Sequence, residues 1–256
     1  MEARLKAVLA RVRMALREDS SIMTLEDALD ALGRQGVADA GRCEIPVEQV
    51  VGTVSRSADF DRGFQLVNPA LADRWQQIAR AVRDGADFPP VDVVRLGDMY
   101  FVRDGHHRVS VARSLGRPTI AARVQSICTT AYAMACLTIA HLPSKAAERM
   151  FLERVPLPDD VRTDLWLDEP AQWLRLADAA EAWAYRSTMA GRRLTDRDRM
   201  ASQWWDREVL PVIERLRADG AVLPLRDVQA YVTALATRDR LGSLDWSPAV
   251  TAHLRP

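Results

Sequence analysis

Apolar positions along the first part of the chain recur at helical spacing. Leu5, Val8, Leu9, Val12 and Leu16 share one face, with Arg4, Lys6, Arg11, Arg13 and Arg17 between them, which predicts an amphipathic basic helix. Thr24 and Asp27 precede a second periodic run that Gly33 stops, predicting a capped helix over 24–32. The pattern then changes period. Residues 43–54, CEIPVEQVVGTV, alternate and are rich in β-branched side chains, as a strand requires. Over 70–85 a helix is expected, with Leu71, Trp75, Ile78, Ala79 and Val82 on its apolar face. Two short apolar runs, 91–96 and 99–102, flank Gly97-Asp98, a hairpin signal. From His106 to Leu115 the spacing turns helical again, Gly116 ends it, and 117–127 reads as another strand.

Beyond residue 128 every strong pattern is helical: AAERMFLERV, AQWLRLADAAEAWAYRSTMAG, TDRDRMASQWWDREVLPVIERLRADG and LRDVQAYVTALATRDRLG, with Pro143, Pro156, Pro158 and Pro170 as punctuation. Trp166, Trp173, Trp183, Trp204 and Trp205 lie here at spacings that suit packing, with Trp246 near the end. The expected class is α+β: a small mixed α/β domain followed by an all-α C-terminal domain. The expected division is an N-terminal helical segment over 1–42, the mixed domain over 43–127 and the helical domain over 128–256.

Composition narrows the field of functions. Lys plus Arg and Asp plus Glu both total 35 in 256 residues, so the net charge is zero and no global field favours nucleic acid or anionic lipid. DNA remains a partner only through a local patch such as the first helix, whose flanking Glu2, Glu18 and Asp19 favour a solvated face. The longest uncharged run, 124–140, is shorter and more polar than a membrane span, and the N-terminus lacks the apolar core of a secretory signal. Cys43, Cys128 and Cys136 are too scattered for a metal or disulfide framework and are expected as buried, reduced thiols. A cytoplasmic protein without membrane contact is the expectation.

Titratable groups crowd at one place, VRDGHHRVSVA, where strand pattern gives way to helix pattern. A glycine there lets the chain turn tightly and leaves the first helical N–H groups facing outward, an anion-binding arrangement. Arg108 adds a guanidinium fork suited to phosphate, and His106 and His107 can donate to the same anion or relay a proton. Asp104 would repel a phosphate unless it holds a metal ion or takes a proton from an attacking hydroxyl. A turn stabilised by Asp104 with two surface histidines accounts for the same residues without function.

The order of features, EIPVEQVVGTVSR, a helix, then PPVDVVRLGDMYFVRDGHHRVSVARSLGRPTIAARV, resembles the ParB/sulfiredoxin-like domain over roughly 44–124. The resemblance implies a small α/β fold whose Gly-x-x-Arg turn, here Gly105 to Arg108, cradles the phosphates of a nucleotide: CTP in partition proteins, ATP or ADP in other branches. His106 stands where sulfiredoxins carry a catalytic Cys, so sulfinic-acid reduction is not expected. Partition proteins carry Glu-Arg-Arg where this chain has His106-His107-Arg108, and no helix-turn-helix counterpart follows residue 124. The Asp-Gly-His-x-Arg turn of ParB-like free-serine kinases matches Asp104, Gly105, His106 and Arg108, while His107 departs; Glu48 is the best candidate for their second acidic residue.

Asp104 and His107 are the expected catalytic residues, Asp104 as base or as ligand of a Mg²⁺ ion and His107 assisting, although His107 has no counterpart in the resemblance. Gly105, His106, Arg108 and Arg56 are expected to hold the nucleotide. The expected function is nucleotide binding at the DGHHR turn, with hydrolysis or phosphoryl transfer an open extension; the alternative is a non-catalytic ParB-like regulator that binds DNA or a protein. The helical half, which resembles the C-terminal regions of other bacterial ParB-like proteins, suggests a homodimerisation module.

Overall fold

In the computed structural model, residues 21–194, 196–218 and 226–243 are described, together with Trp246 and Val250. The basic helix expected near the N-terminus lies outside these residues. The described chain falls into two units that divide after Leu142.

In the first unit a short strand β1 (Met23–Thr24) leads into α1 (Leu25–Leu32). Thr24 caps it, its hydroxyl oxygen accepting from the Asp27 N–H at 3.1 Å, and Gly33 stops it, as the spacing predicted. Strand β2 (Arg34–Pro46) follows, so 34–42 is extended rather than helical. The strand expected over 43–54 is also interrupted: Pro46 brings no N–H, a 3₁₀ turn (Val47–Gln49) intervenes, and β3 (Val50–Thr53) starts anew. Helix α2 (Ala72–Arg83), β4 (Val91–Leu96), β5 (Met99–Asp104), α3 (His106–Ser114) and β6 (Thr119–Thr129) come next.

The six strands form one sheet in the order β1-β3-β5-β4-β6-β2. β1 runs parallel to β3 and β3 parallel to β5, β4 pairs antiparallel with β5 and parallel with β6, and β2 closes the edge antiparallel to β6. The β4–β5 hairpin pairs Leu96 with Met99 across Gly97-Asp98, as expected from those two residues. Ile45, Val50, Val91, Val102, Val109 and Val124 join Phe60 and Phe64 in the core beside the sheet. Ala79, Val82 and Val111 seat α2 against α3. The three cysteines are free, as expected, but exposed rather than buried. Cys43 lies on an edge strand whose residues 34–44 all face solvent, and Cys128 takes the outward position between Ile127 and Thr129.

The second unit is helical: α4 (Leu142–Arg154), α5 (Asp159–Arg162), α6 (Pro170–Met189), α7 (Arg197–Trp204), α8 (Leu210–Ala218) and α9 (Asp227–Arg240). The long helix expected through SQWWDREVLPVIERL widens into a π turn at Trp205–Val209. Pro211 explains the break, since it has no N–H for the carbonyl four residues back and its ring crowds that carbonyl. Trp173, Trp183, Trp204 and Trp205 are buried, which agrees with a packing role. No helix among the described residues is long and apolar enough to cross a membrane.

Candidate functional site at the opening of α3

Strands β3 and β5 are parallel, with Thr53 beside Val102, so their carboxyl ends open on the same edge of the sheet. Gly105, at φ 98° and ψ 23°, turns the chain from β5 into α3. A Cβ there would stand 2.6 Å from Val91 Cγ1 and 2.9 Å from Arg108 Nη2, so only glycine fits. The first bond of α3 runs from the Val109 N–H to the Gly105 carbonyl at 3.0 Å. The N–H groups of His106, His107 and Arg108 precede that bond and carry the partial positive charge of a helix start.

His106 is tied to the loop after β3. Its Nε2 lies 2.7 Å from Thr53 Oγ1, and that oxygen also accepts from the Ser55 and Arg56 N–H groups at 3.2 and 3.0 Å. With two N–H groups taken in, the hydroxyl's own proton goes to His106 Nε2, which must be unprotonated. The ring is 3% exposed and stacks against Phe60, centroids 5.8 Å apart, and Phe64 at 6.4 Å. Phe64 reaches this place by adopting a φ of 57°, a conformation that side chains other than glycine rarely take.

Burial above all, then the Arg56 charge, pulls the His106 pKa from 6.5 down to about 4, against an opposing pull from Asp104. The unfolded chain therefore takes up a proton before the folded one does as pH falls. Stability held above pH 6.5 should be lost as pH falls toward 4, with the unfolding constant rising by up to about tenfold per pH unit. Urea midpoints followed across that window check this: the slope should be shallower in His106→Asn, and an unchanged slope would mean that the ring is already charged in the folded protein.

His107 is 7% exposed, and neither of its ring nitrogens has a hydrogen-bond partner. Phe60 meets it edge-on at 5.4 Å. Burial first, then Arg74 on α2 and Arg56, lower its pKa, while Asp59 pulls the other way. Arg56 stands 3.6 Å from Asp59, whose carboxylate also accepts from Asn68 Nδ2 at 3.0 Å. Arg56 thus lies near the opening of α3, its N–H on the Thr53 hydroxyl that also meets His106. Arg74 is there too and carries no motif; only its placement on the exposed side of α2 beside α3 brings it in.

Asp104 and Arg108 form an ion pair at 2.7 Å, with 72% of the Asp104 side chain exposed and 15% of Arg108. The other arm of Arg108 donates to the carbonyls of Pro89 and, at 3.1 Å, Pro90. The guanidinium therefore braces the turn against the segment before β4. Glu48 is not brought to the turn: its carbonyl faces Arg113, in the last turn of α3. Arg113 also donates to the Val47 and Val50 carbonyls at 3.1 and 2.6 Å and lies over the Phe64 ring, locking α3 to the start of β3.

Two hollows flank α3. One of about 230 Å³ is lined by Glu44, Asp87, Phe88, Val91, Arg108 and Arg117, among others. The other, about 620 Å³, is lined by Phe64, Gln65, Trp75, Gln76, Ser110 and Arg113, with Trp75 Nε1 donating to Ser110 Oγ at 2.8 Å. Ser110 follows His107 by three positions and so lies on the same side of α3. Among the described residues no three His, Cys, Asp or Glu side chains gather closely enough to hold a metal ion by themselves.

Residues 62–139 match the family model for the ParB N-terminal domain, which bears out the ParB/sulfiredoxin-like resemblance over that span. Among solved structures, the sulfiredoxin from Arabidopsis thaliana aligns with 21% identity and a TM-score of 0.27, covering 34% of this chain and 86% of its own. A Pnob8-like ParB-N domain aligns with 14% identity and a TM-score of 0.25, covering 86% of this chain and 90% of its own. The comparison with curated proteins gave no match.

Proposed function

We propose that this chain binds a nucleoside di- or triphosphate, CTP, ATP or ADP, with its phosphates at the opening of α3 and its nucleoside in the groove beside Trp75 and Ser110. The observation that carries this reading is the junction itself. At the carboxyl ends of two parallel strands, a glycine that no other residue can replace directs three helix-start N–H groups outward, with Arg56 and Arg74 close by.

The residues fit such a ligand. The N–H groups of residues 106–108 would meet phosphate oxygens, and Arg56 and Arg74 would balance the remaining charge. Phe64, Trp75 and Gln76 supply an apolar wall with polar ends for a base. Mg²⁺ would come with the nucleotide, because that ion is commonly held by one or two carboxylates, phosphate oxygens and water. Asp104 is the carboxylate at the turn that would face it. Hydrolysis or transfer to an acceptor would also draw on Asp104, which Arg108 fixes at 2.7 Å.

The test is thermal unfolding with each nucleotide, with and without Mg²⁺. A ligand at 100 times its Kd should add about 2.7 kcal/mol of stability, and Arg56→Ala combined with Arg74→Ala should remove most of that shift. If no nucleotide moves the transition, the reading is wrong.

A further inference from the structure

We infer that the outer face of α6 is a self-association surface, on which a second copy of this chain packs its own α6 in antiparallel order. On its inner side α6 buries Trp173, Leu176, Ala177, Ala180, Trp183 and Ser187. On the opposite side, at helical spacing, stand Leu174, Asp178, Ala182, Tyr185 and Met189. Leu174, Tyr185 and Met189 are 59%, 68% and 71% exposed. They are three of the seven large apolar side chains that stand exposed among the described residues. Exposed apolar residues scattered singly are ordinary, but a group on one side of one helix marks an interaction surface.

A hollow of about 390 Å³ opens on the same side, lined by Ala171, Leu174, Ala179 and Ala182 of α6 and by Leu235 and Arg238 of α9, among others. The alanines leave room that an apolar side chain from a partner can fill, as an anchor fills its pocket at an interface.

The order of residues along the face says which partner fits. Leu174 lies eight positions before Ala182 and Met189 seven after it; Asp178 lies four before, and Tyr185 and Arg186 three and four after. A two-fold axis at Ala182 therefore sets Leu174 of one copy against Met189 of the other. It also sets Asp178 against the Tyr185 hydroxyl and the Arg186 guanidinium, and it does so twice, as an isologous interface requires. Asp178 accepts from Arg154 at 3.1 Å and Arg186 has Glu208 at 3.7 Å, yet both side chains stay exposed and keep capacity for a second partner. Arg175, which also lines the hollow, comes to lie over the last turn of the partner's α6, where the carbonyl ends favour a cation. Ala182 at the axis is small enough for the two helices to approach closely. A parallel pairing would instead set Asp178 against Asp178 and Arg175 against Arg175, and like charges oppose it.

Sedimentation velocity on the full chain across a concentration series should show a reversible monomer–dimer equilibrium in the micromolar range or tighter. Leu174→Glu, at an exposed position, should keep the unfolding midpoint and weaken the dimer by about tenfold or more. Asp178→Arg and Arg186→Asp should each weaken it, and the two together should restore it, which distinguishes the antiparallel pairing from any other use of the face. With Cys43→Ser, Cys128→Ser and Cys136→Ser in place, Ala182→Cys should give a disulfide-linked dimer on mild oxidation, because the axis brings the two copies of that position together. Thr188→Cys, exposed on another side of α6, should not. A chain that stays monomeric at every concentration overturns the inference. So does a dimer that Leu174→Glu leaves intact and that Ala182→Cys does not cross-link.

Discussion

Gly105→Ala should cost the sheet unit about 2–4 kcal/mol and abolish nucleotide-dependent stabilisation. The added Cβ faces two obstacles. The backbone sits at φ 98°, where L residues are strained, and the new atom would press within 2.6 Å of Val91 Cγ1. Val91 is fully buried in β4, so it cannot move aside. On the other side the Cβ meets the Arg108 guanidinium, whose tip is held by Asp104 and the two proline carbonyls. Relief must come from rotating the start of α3, which redirects the three N–H groups on which the phosphate reading depends. Gly116→Ala is the control: its φ is 63°, but nothing lies within 4 Å of the added methyl. That variant should lose only about 1 kcal/mol and keep the nucleotide response. Urea midpoints at constant slope, with hydrogen exchange of the β4 and β5 amides, separate the two. Equal losses in both variants would show that the packing at Val91 is looser than its burial indicates.

The hydrophobic pattern carried most of the first unit because its elements are short, amphipathic and bounded by glycines. The Gly97-Asp98 hairpin and the start of α3 at Gly105 are legible for that reason. Strand β2 is not. Its residues 34–44 are exposed on both faces, so no apolar alternation marks them, and what holds them extended is a ladder to β6 some eighty residues away. The site divides in the same way. The crowd from Asp104 to Arg108 stands in the sequence, and Gly105 does what its position suggests. The partners that decide what each side chain is free to do, Thr53, Phe60, Phe64 and Arg74, come from other elements and have no local signature. Those contacts turn two adjacent, chemically identical histidines into one neutral latch and one unpartnered ring.

The helical unit hides a comparable inversion, and it sets the second large prediction. On α4, Lys145 and Glu148 read as ordinary solvated helix residues three positions apart, yet they are 2% and 1% exposed with Nζ 2.6 Å from Oε2. The Lys145 ammonium also lies 5.6 Å from the centre of the Trp166 ring, and next to it Ser144 accepts from Trp173 Nε1 at 2.9 Å and donates to the Leu167 carbonyl. Lys145→Met keeps much of the side-chain length but removes one cation from a carboxylate that is 1% exposed. The expected loss in that unit is about 3–5 kcal/mol, far more than a missing methylene would explain. Arg149 and Glu153 on the same helix provide the comparison, an ion pair at 3.0 Å with side chains 32% and 52% exposed. Arg149→Met should change stability by less than about 1 kcal/mol. The difference between the two variants in urea unfolding measures what burial adds to one ion pair over another on a single helix. A loss for Lys145→Met no larger than that for Arg149→Met would mean that water reaches the Lys145–Glu148 pair after all.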